Sequence, residues 1–288
     1  MSLIWVNDGL VDETTARVSP LDHGFTVADG VFETLKVKDG QPFALDRHVE
    51  RLKASANGLG LGDINTELVE KAIVETLSAN SPIELGRLRV TITSGQGPLG
   101  SNRGDTQHTL TVATASVNSW PATTTVAIVP WRRNERSAVV GLKTTSYAEN
   151  VVALEAAHTA GYSEAIFLDT QDRLSEGTGT NLFFVTNNTV MTPSVKCGIL
   201  EGITRALVIE LCADLSIDIV EDEFTIADLI AADEIFITSS TRDVHPVTTL
   251  AILNQQLNSE TVQSKSVGPV TSRLQEAWSN TYSINTNP

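Results

Sequence analysis

One lysine stands where a charged side chain is unexpected. Residues 137–150 read S-A-V-V-G-L-K-T-T-S-Y-A-E-N, and Lys143 is the only charged group between Arg136 and Glu149. The apolar run before it predicts a buried strand that ends at the lysine. A buried ammonium is unfavourable unless it is paired or loses its proton, and a neutral lysine amine is a nucleophile. The alternative, which spacing alone favours, is a lysine whose head reaches solvent from a strand end.

Two short stretches could bind an anion. In L-E-G-I-T-R (200–205) a glycine precedes a predicted helix, whose first N–H groups and positive dipole end suit a phosphate, and Thr204 adds a hydroxyl. In T-S-S-T (238–241) hydroxyls and backbone amides follow a predicted strand and could form a similar anion nest. The alternatives are an ordinary helix cap and a serine/threonine turn, and both are common.

A carboxylate and an arginine complete the candidate set. Glu176 lies among small residues in S-E-G-T-G-T-N (175–181), where a carboxylate could hold a cationic ring nitrogen; the alternative is an exposed turn glutamate. Arg47 and Arg51 lie one helical turn apart in R-H-V-E-R-L, and Arg51 is the one next to the apolar positions. For Arg51 the alternatives are solvent or a surface ion pair with Glu50 or Glu155.

Together these groups match what pyridoxal 5'-phosphate requires. That cofactor needs a lysine for a Schiff base, an acidic partner for its ring nitrogen and donors for its phosphate. Each stretch alone is weak evidence for a cofactor site, and their joint occurrence favours binding of pyridoxal phosphate. No metal site is predicted.

Hydrophobic periodicity gives the elements that must position these residues. We expect strands at 4–7, 31–37, 88–93, 109–115, 165–169, 181–185 and 234–238. We expect helices at 47–58, 66–79, 148–161, 203–214 and 269–279. Asp39-Gly40 predicts a hairpin turn, residues 95–104 a long glycine-rich loop, and the final S-I-N-T-N-P a frayed tail. Because strands and helices do not alternate strictly, the pattern predicts the α+β class.

Length and composition restrict the class of protein. The chain has 288 residues, 41% of them hydrophobic, and a net charge of −15. We expect two domains, at 1–118 and 123–288, joined by a linker at 119–122 where Trp120-Pro121 interrupts the strand pattern. The acidic balance speaks against nucleic acid as a partner. The absence of a signal-like start or a long apolar run, with only two cysteines, leads us to expect a cytoplasmic protein without a membrane partner.

The order of motifs resembles a known family. D-G-V-F-E-T, H-V-E-R-L, K-T-T-S-Y-A-E-N, L-S-E-G-T-G-T-N-L-F, G-I-T-R and S-S-T-R-D-V-H-P-V resemble the class IV, or fold type IV, pyridoxal-phosphate enzymes. The resemblance covers roughly residues 4–280. It implies a smaller N-terminal α/β sandwich, a larger C-terminal pseudo-barrel domain and a homodimer.

The same resemblance implies a role for each candidate residue. Lys143 would be the Schiff-base lysine, and Glu176 would be the partner of the pyridine nitrogen. The phosphate contacts would be Arg51, Ile203, Thr204 and Ser240.

The substrate positions resemble the aminodeoxychorismate lyases of the family more than its aminotransferases. Phe32 stands where D-amino acid aminotransferases usually have tyrosine, and Thr34 stands where the lyases have a hydroxyl. Arg87 and Arg89 would share one face of a strand and offer two cations to a substrate amine that carries two carboxylates. Thr34 is therefore predicted to be catalytic, and Phe32, Arg87, Arg89 and Thr241 to bind substrate. Two alternatives stay open: an aminotransferase for branched-chain or other amino acids, and a non-catalytic cofactor carrier.

Overall fold

The computed structural model describes residues 2–105, 107–283 and 285–288. The strands are β1 Leu3–Val6, β2 Gly9–Asp12, β3 Gly30–Lys38, β4 Gln41–Pro42, β5 Leu85–Thr93, β6 Thr109–Ser116, β7 Thr124–Arg133, β8 Glu164–Asp169, β9 Leu174–Gly177, β10 Asn181–Thr186, β11 Thr189–Pro193, β12 Ile219–Asp222, β13 Glu234–Ser239, β14 Asp243–Leu253 and β15 Ser259–Ser264. The helices are α1 His23–Thr26, α2 Leu45–Leu59, α3 Thr66–Ala79, α4 Ala148–Thr159, α5 Ile203–Asp214, α6 Ile226–Ala231 and α7 Pro269–Tyr282. This mixed order confirms the α+β class.

The chain divides into two units, and each is made of separate segments. The first unit comprises Met1–Ser119, Leu142–Tyr147 and Thr286–Pro288, and the second comprises Trp120–Gly141 and Ala148–Asn285. Lys143 therefore belongs to the first unit, although it follows a stretch of the second along the chain.

An antiparallel six-stranded sheet forms the first unit, in the order β2-β1-β6-β5-β3-β4. Because side chains alternate along a strand, β3 and β5 each present one apolar and one polar face. The apolar face belongs to the core that includes α2 and α3, with residues such as Val31, Leu35, Leu88 and Val90. The opposite face of the same two strands carries Phe32, Thr34, Arg87 and Arg89.

The second unit is built on a nine-stranded mixed sheet, in the order β12-β11-β10-β13-β14-β7-β8-β9 with β15 paired to β14. Its strand β7 pairs in parallel with both β14 and β8. The strands β10 and β13 are buried along nearly their whole length, and the rings of Phe183 and Phe236 stack at 4.9 Å between centroids. This core fixes the end of β13, which leads directly into the 240–242 turn.

Most of the predicted elements are present. The observed bounds of α3 and α5 are those that periodicity predicted. The helix predicted at 47–58 is longer at both ends: α2 begins at Leu45 and ends at Leu59, and Gly60 follows with a φ of +79°. The Asp39-Gly40 turn, with φ of +50° and +75°, joins β3 to β4 as expected.

The prediction of a buried strand ending at Lys143 is wrong. The strand of this region is β7, which ends at Arg133, and turns follow at Ser137 and Val140. Gly141 then takes a φ of +74°, which a strand does not allow. The apolar run of Ala138, Val139 and Val140 is too short and too exposed to add a strand, so Lys143 lies in an extended connection instead.

Two segments that looked irregular in sequence are held in place. In the glycine-rich loop, Arg103 donates to both carboxylate oxygens of Asp29 at 2.7 and 2.6 Å and to the Leu59 and Gly60 carbonyls at the end of α2. The prediction of a frayed tail is wrong, because Ala44 N–H donates to Thr286 O at 2.7 Å and Arg47 Nε to Pro288 O at 2.8 Å.

Within the described ranges, every helix is too short or too polar to cross a membrane.

Candidate active site

The backbone of Lys143 is fixed by two elements of the first unit. Its N–H donates to the Ser55 hydroxyl of α2 at 3.2 Å, and its carbonyl accepts from Phe32 N–H of β3 at 2.9 Å. The next residues continue this pairing, with a bridge between Thr144 and Val31. Lys143 itself is only half-buried. The lysine is therefore held by its backbone, while its side chain is not enclosed in a dry core.

The Lys143 amine lies against aromatic rings. Its Nζ is 4.5 Å from the centroid of Phe32 and 5.9 Å from that of Tyr147, and the two rings meet edge to face at 5.0 Å. The guanidinium carbon of Arg89 lies 3.4 Å from the centroid of Phe32. Phe32, which is 3% exposed, thus contacts the nucleophile candidate and a predicted substrate-binding cation.

Thr34, Arg87 and Arg89 lie on the polar face of the β3–β5 pair. Thr34 is directly opposite Arg89 in the register, and Lys36 is opposite Arg87. Both arginines are exposed, whereas Leu88 between them is buried in the core. Partial desolvation of the Arg89 guanidinium, which lies over the Phe32 ring, lowers its pKa. The neighbouring Arg87 cation also lowers the pKa of Arg89, whereas Tyr147 and the Glu33 carboxylate act to raise it. The two cations are thus close enough to repel each other.

Arg51 is paired with a buried carboxylate on the core face of β3. Its Nε and Nη2 donate to the two oxygens of Glu33 at 2.7 and 2.8 Å, and His48 Nδ1 lies 2.7 Å from Glu33 Oε2. Burial would raise the pKa of Glu33, but the charges and hydrogen bonds of Arg51 and His48 hold it well below its ordinary value. The surface ion pair considered for Arg51 is therefore wrong, because its partner is Glu33, which is 1% exposed.

Glu176 of the second unit has a fixed orientation. It lies on β9, and its Oε2 accepts from Leu200 N–H at 2.9 Å and from the Asn181 amide at 3.3 Å. Its other oxygen, Oε1, is 3.8 Å from Arg133 Nη2. An exposed turn glutamate is therefore excluded. The carboxylate is held by donors, as a partner for a cationic nitrogen must be.

The helix start predicted to bind phosphate has no side-chain cap among the described residues. Gly202 is the N-cap of α5, and Ile203 and Thr204 open the helix with 7% and 3% exposure. A side chain at Gly202 would overlap the amide of Asn181, which also donates to Leu200 O at 2.9 Å. Glycine is therefore required by close packing against Asn181.

Ser240 and Thr241 lie in the turn between β13 and β14. Arg242 N–H donates to both the hydroxyl and the carbonyl of Ser239 at 3.2 Å, so a serine turn is present. The Arg242 guanidinium stacks on Trp120, with 3.7 Å from its carbon to the ring centroid. The turn is braced, and Ser240 and Thr241 are each half-buried at its tip.

The structure thus groups the predicted residues into two sets. Lys143, Phe32, Thr34, Arg51, Arg87 and Arg89 belong to the first unit, and Glu176, Ile203, Thr204, Ser240 and Thr241 belong to the second. Sequence reasoning did not select the residues that hold these groups, which are Glu33, His48, Ser55, Arg133, Tyr147, Asn181 and Leu200. Four of these supporting residues, Glu33, His48, Tyr147 and Asn181, lie within the motifs D-G-V-F-E-T, H-V-E-R-L, K-T-T-S-Y and T-G-T-N. The motifs therefore contained a sequence signal for these four residues.

The donor chemistry of both sets fits pyridoxal phosphate. The cofactor has an aldehyde for an amine, a basic ring nitrogen for a carboxylate and a phosphate for N–H and hydroxyl donors. Thr238 Oγ1, at the end of β13, is buried and has no hydrogen-bond partner among the described residues. An unsatisfied hydroxyl beside the 240–242 turn is consistent with a ligand oxygen there.

Comparison with known proteins gives one consistent family. The family model for class IV amino-transferases matches residues 30–250. The chain is 32% identical over 280 residues to a putative branched-chain-amino-acid aminotransferase of Methanocaldococcus jannaschii, covering 96% of this chain and 94% of that protein. It is 29% identical over 259 residues to the aminodeoxychorismate lyase of Bacillus subtilis, covering 88% of each.

Among solved structures, the branched-chain aminotransferase of Thermoproteus uzoniensis with norvaline superposes with a TM-score of 0.89 at 30% identity, covering 97% of this chain and 94% of that one. These matches and the geometry agree with the family that the motifs indicated: the chain belongs to the class IV aminotransferases and is a pyridoxal-phosphate-dependent enzyme of fold type IV.

Proposed function

We propose that this enzyme is an aminodeoxychorismate lyase, which eliminates pyruvate from 4-amino-4-deoxychorismate and yields 4-aminobenzoate, a folate precursor. The observation that carries the proposal is the common face of Thr34, Arg87 and Arg89 on β3 and β5. The substrate has two carboxylates, and two adjacent cations suit it better than a branched-chain amino acid with one. The likeness to the Bacillus subtilis lyase over 88% of each chain supports the same activity.

Each residue receives one role in this proposal. Lys143 bonds the cofactor aldehyde, Glu176 holds the proton on the ring nitrogen, and the phosphate donors are Arg51, Ile203, Thr204 and Ser240. Arg89 binds the carboxylate that every substrate has, Arg87 binds the second, and Phe32 and Thr241 contact the rest of the substrate. When bound, pyridoxal phosphate withdraws electrons from the carbon that bears the substrate amine.

The elimination then depends on two proton transfers by this chain's own residues. Lys143, whose amine would be freed when the substrate amine replaces it at the cofactor aldehyde, removes the proton from the amine-bearing ring carbon as a general base. The bond from the neighbouring ring carbon to the enolpyruvyl oxygen breaks, and that oxygen leaves with the electron pair. Thr34 passes the proton that Lys143 took to the methylene carbon of the leaving group, which completes pyruvate and returns both residues to their starting protonation states. The six-membered ring is left aromatic as 4-aminobenzoate, so atoms and electrons balance.

A class IV aminotransferase is the second candidate. The 32% identity to the putative branched-chain enzyme and the likeness to the norvaline-bound structure favour it. In an aminotransferase, Lys143 would also remove the proton from the amine-bearing carbon of the substrate, but no leaving group would be eliminated.

The test uses two substrates and three matched variants. Purified enzyme is assayed with aminodeoxychorismate for pyruvate and 4-aminobenzoate, and separately with leucine plus 2-oxoglutarate. A charge-assisted contact contributes about 1.5–3 kcal/mol, or roughly 10- to 150-fold in affinity. Arg89→Ala should raise KM for both substrates by that factor, and Arg87→Ala only for aminodeoxychorismate.

Lys36→Ala is the control, because Lys36 pairs with Arg87 in the register and its loss removes the same charge from this face. If Lys36→Ala and Arg87→Ala raise the KM for aminodeoxychorismate equally, the net positive charge of this face explains the effect and Arg87 has no specific role as a second carboxylate contact. Turnover of leucine without release of 4-aminobenzoate from aminodeoxychorismate would establish the aminotransferase instead.

A further inference from the structure

Arg133, the last residue of β7, lies behind the carboxylate of Glu176. Its Nη2 is 3.8 Å from Glu176 Oε1, beyond hydrogen-bond distance but well within the range of a strong charge interaction. Nε and Nη2 of Arg133 are both buried and have no hydrogen-bond partner among the described residues. Two buried, unsatisfied donors on a partly buried cation are costly, and such cost is commonly tolerated at functional positions.

The rest of the unit fixes Arg133 in this place. Its guanidinium carbon lies 4.4 Å from the ring centroid of Phe167, which is fully buried. Its Nη1 donates to the Asn150 side-chain oxygen at 3.4 Å, and the Asn150 amide donates to the carbonyl of Thr178, two residues after Glu176, at 2.6 Å. Glu149 is the other acidic group nearby, at 3.7 Å from Nη1, and it is half-exposed.

We infer that Arg133 is a positioning residue that keeps Glu176 ionised and thereby keeps the proton on the cofactor's ring nitrogen. A proton between a carboxylate and a pyridine nitrogen can reside on either. A cation within about 4–6 Å of the carboxylate favours its charged form by one to three powers of ten. Because Arg133 does not itself bond to Oε1, it supplies this bias without using that oxygen's lone pairs.

The alternative is a purely structural arginine, retained for its stacking on Phe167. That role predicts loss of stability on substitution but no change in where the proton resides. The inference rests on the proposed pairing of Glu176 with the ring nitrogen, and it is independent of whether the enzyme is a lyase or an aminotransferase.

The experiment reads the ring nitrogen directly. Apo-protein is reconstituted with pyridoxal phosphate labelled with ¹⁵N in the ring, and the chemical shift is measured without substrate. Wild type should give a pyridinium signal. Arg133→Met should move it most of the way to neutral pyridine, and Arg133→Lys should move it less, since the charge remains.

Arg132→Met is the matched control, because Arg132 is the preceding arginine, forms an exposed pair with Asp172 and should leave the signal unchanged. Glu176→Gln is the reference for complete loss of the acidic partner. A pyridinium signal in Arg133→Met beside a shifted one in Glu176→Gln would overturn the inference about Arg133.

An unshifted signal in Glu176→Gln would remove the pairing itself, and the role of Arg133 with it. Should Arg133→Met not fold, Arg133→Gln supplies the same loss of charge with a side chain that keeps a donor for Asn150. A shifted signal in that variant supports the inference, and an unshifted one overturns it.

Discussion

Replacing Glu33 by glutamine should destabilise the first unit far more than the loss of an ordinary ion pair. Glu33 is 1% exposed and accepts hydrogen bonds from Arg51 Nε and Nη2 and from His48 at 2.7–2.8 Å. Glutamine keeps one acceptor oxygen but turns an amide group toward a donor, and it removes the negative charge that pairs with Arg51. Breaking a buried pair in this way costs about 3–5 kcal/mol.

The matched control is the same substitution at an exposed pair. Glu75 lies 3.9 Å from Lys71 one turn away on α3, and both side chains are well exposed. Glu75→Gln should therefore cost only about 0.3–0.5 kcal/mol. The assay is hydrogen–deuterium exchange of β3 amides in increasing urea, which reports on the first unit alone. The Glu33→Gln curve should shift to lower urea, and the Glu75→Gln curve should overlie wild type.

Acid gives a second signature of the same interaction. The pKa of Glu33 is depressed in the folded protein, so its contribution to stability is present above the unfolded value of about 4.3 and is lost as the pH falls toward the folded value. The difference between wild type and Glu33→Gln should therefore be full at pH 7 and shrink below about pH 4. Glu33→Gln behaving like the control, or a difference that does not change with pH, would refute the reasoning.

Three further outcomes are expected. Lys143→Ala should still bind pyridoxal phosphate but lack the absorbance of the lysine-linked cofactor and lose turnover; full activity would remove Lys143 from the mechanism. Glu234→Gln should lower the free energy of unfolding by about 1–2 kcal/mol, because the buried Glu234 carboxylate accepts from Val270 and Thr271 N–H at 3.1 and 2.7 Å at the start of α7. An unchanged urea midpoint would contradict this. Light scattering should show a homodimer that Phe25→Ser weakens, since Phe25 is 77% exposed, whereas a fully active wild-type monomer would exclude this.

Local pattern was enough to predict most elements of the fold. The bounds of α3 and α5 agree with the 3.6-residue periodicity, and α5 begins directly after Gly202 as predicted, because amphipathicity and helix starts are local properties. The run at 137–143 was misread as a strand because Ala138, Val139 and Val140 are apolar, although their backbone turns. Periodicity cannot tell a short apolar turn from a short strand.

The residues that hold the candidate site in place were harder to predict from the sequence, because their contacts join positions far apart along the chain. Glu33 and Arg51 are 18 positions apart, and Ser55 and Lys143 are 88 positions apart. No local pattern could show that the serine hydroxyl of a helix accepts from the lysine backbone. Motif resemblance proposed the groups that meet the cofactor, and the side chains that hold those groups appear only in three dimensions.

The segment Leu142–Tyr147 has a consequence for the timing of synthesis. The strands β1 to β6 can emerge from the ribosome and pair before residue 142 exists, but the backbone partner of Phe32 and Ser55 is made only later. Thr286–Pro288, which bond to the start of α2, are made later still than the lysine-bearing segment. A nascent first unit must therefore keep this edge of β3 open while Trp120–Gly141, the first segment of the second unit, is translated. Pairing of the lysine-bearing segment must therefore follow pairing of β1 to β6, and the interval in which this edge of β3 is open is the stage most exposed to mispairing.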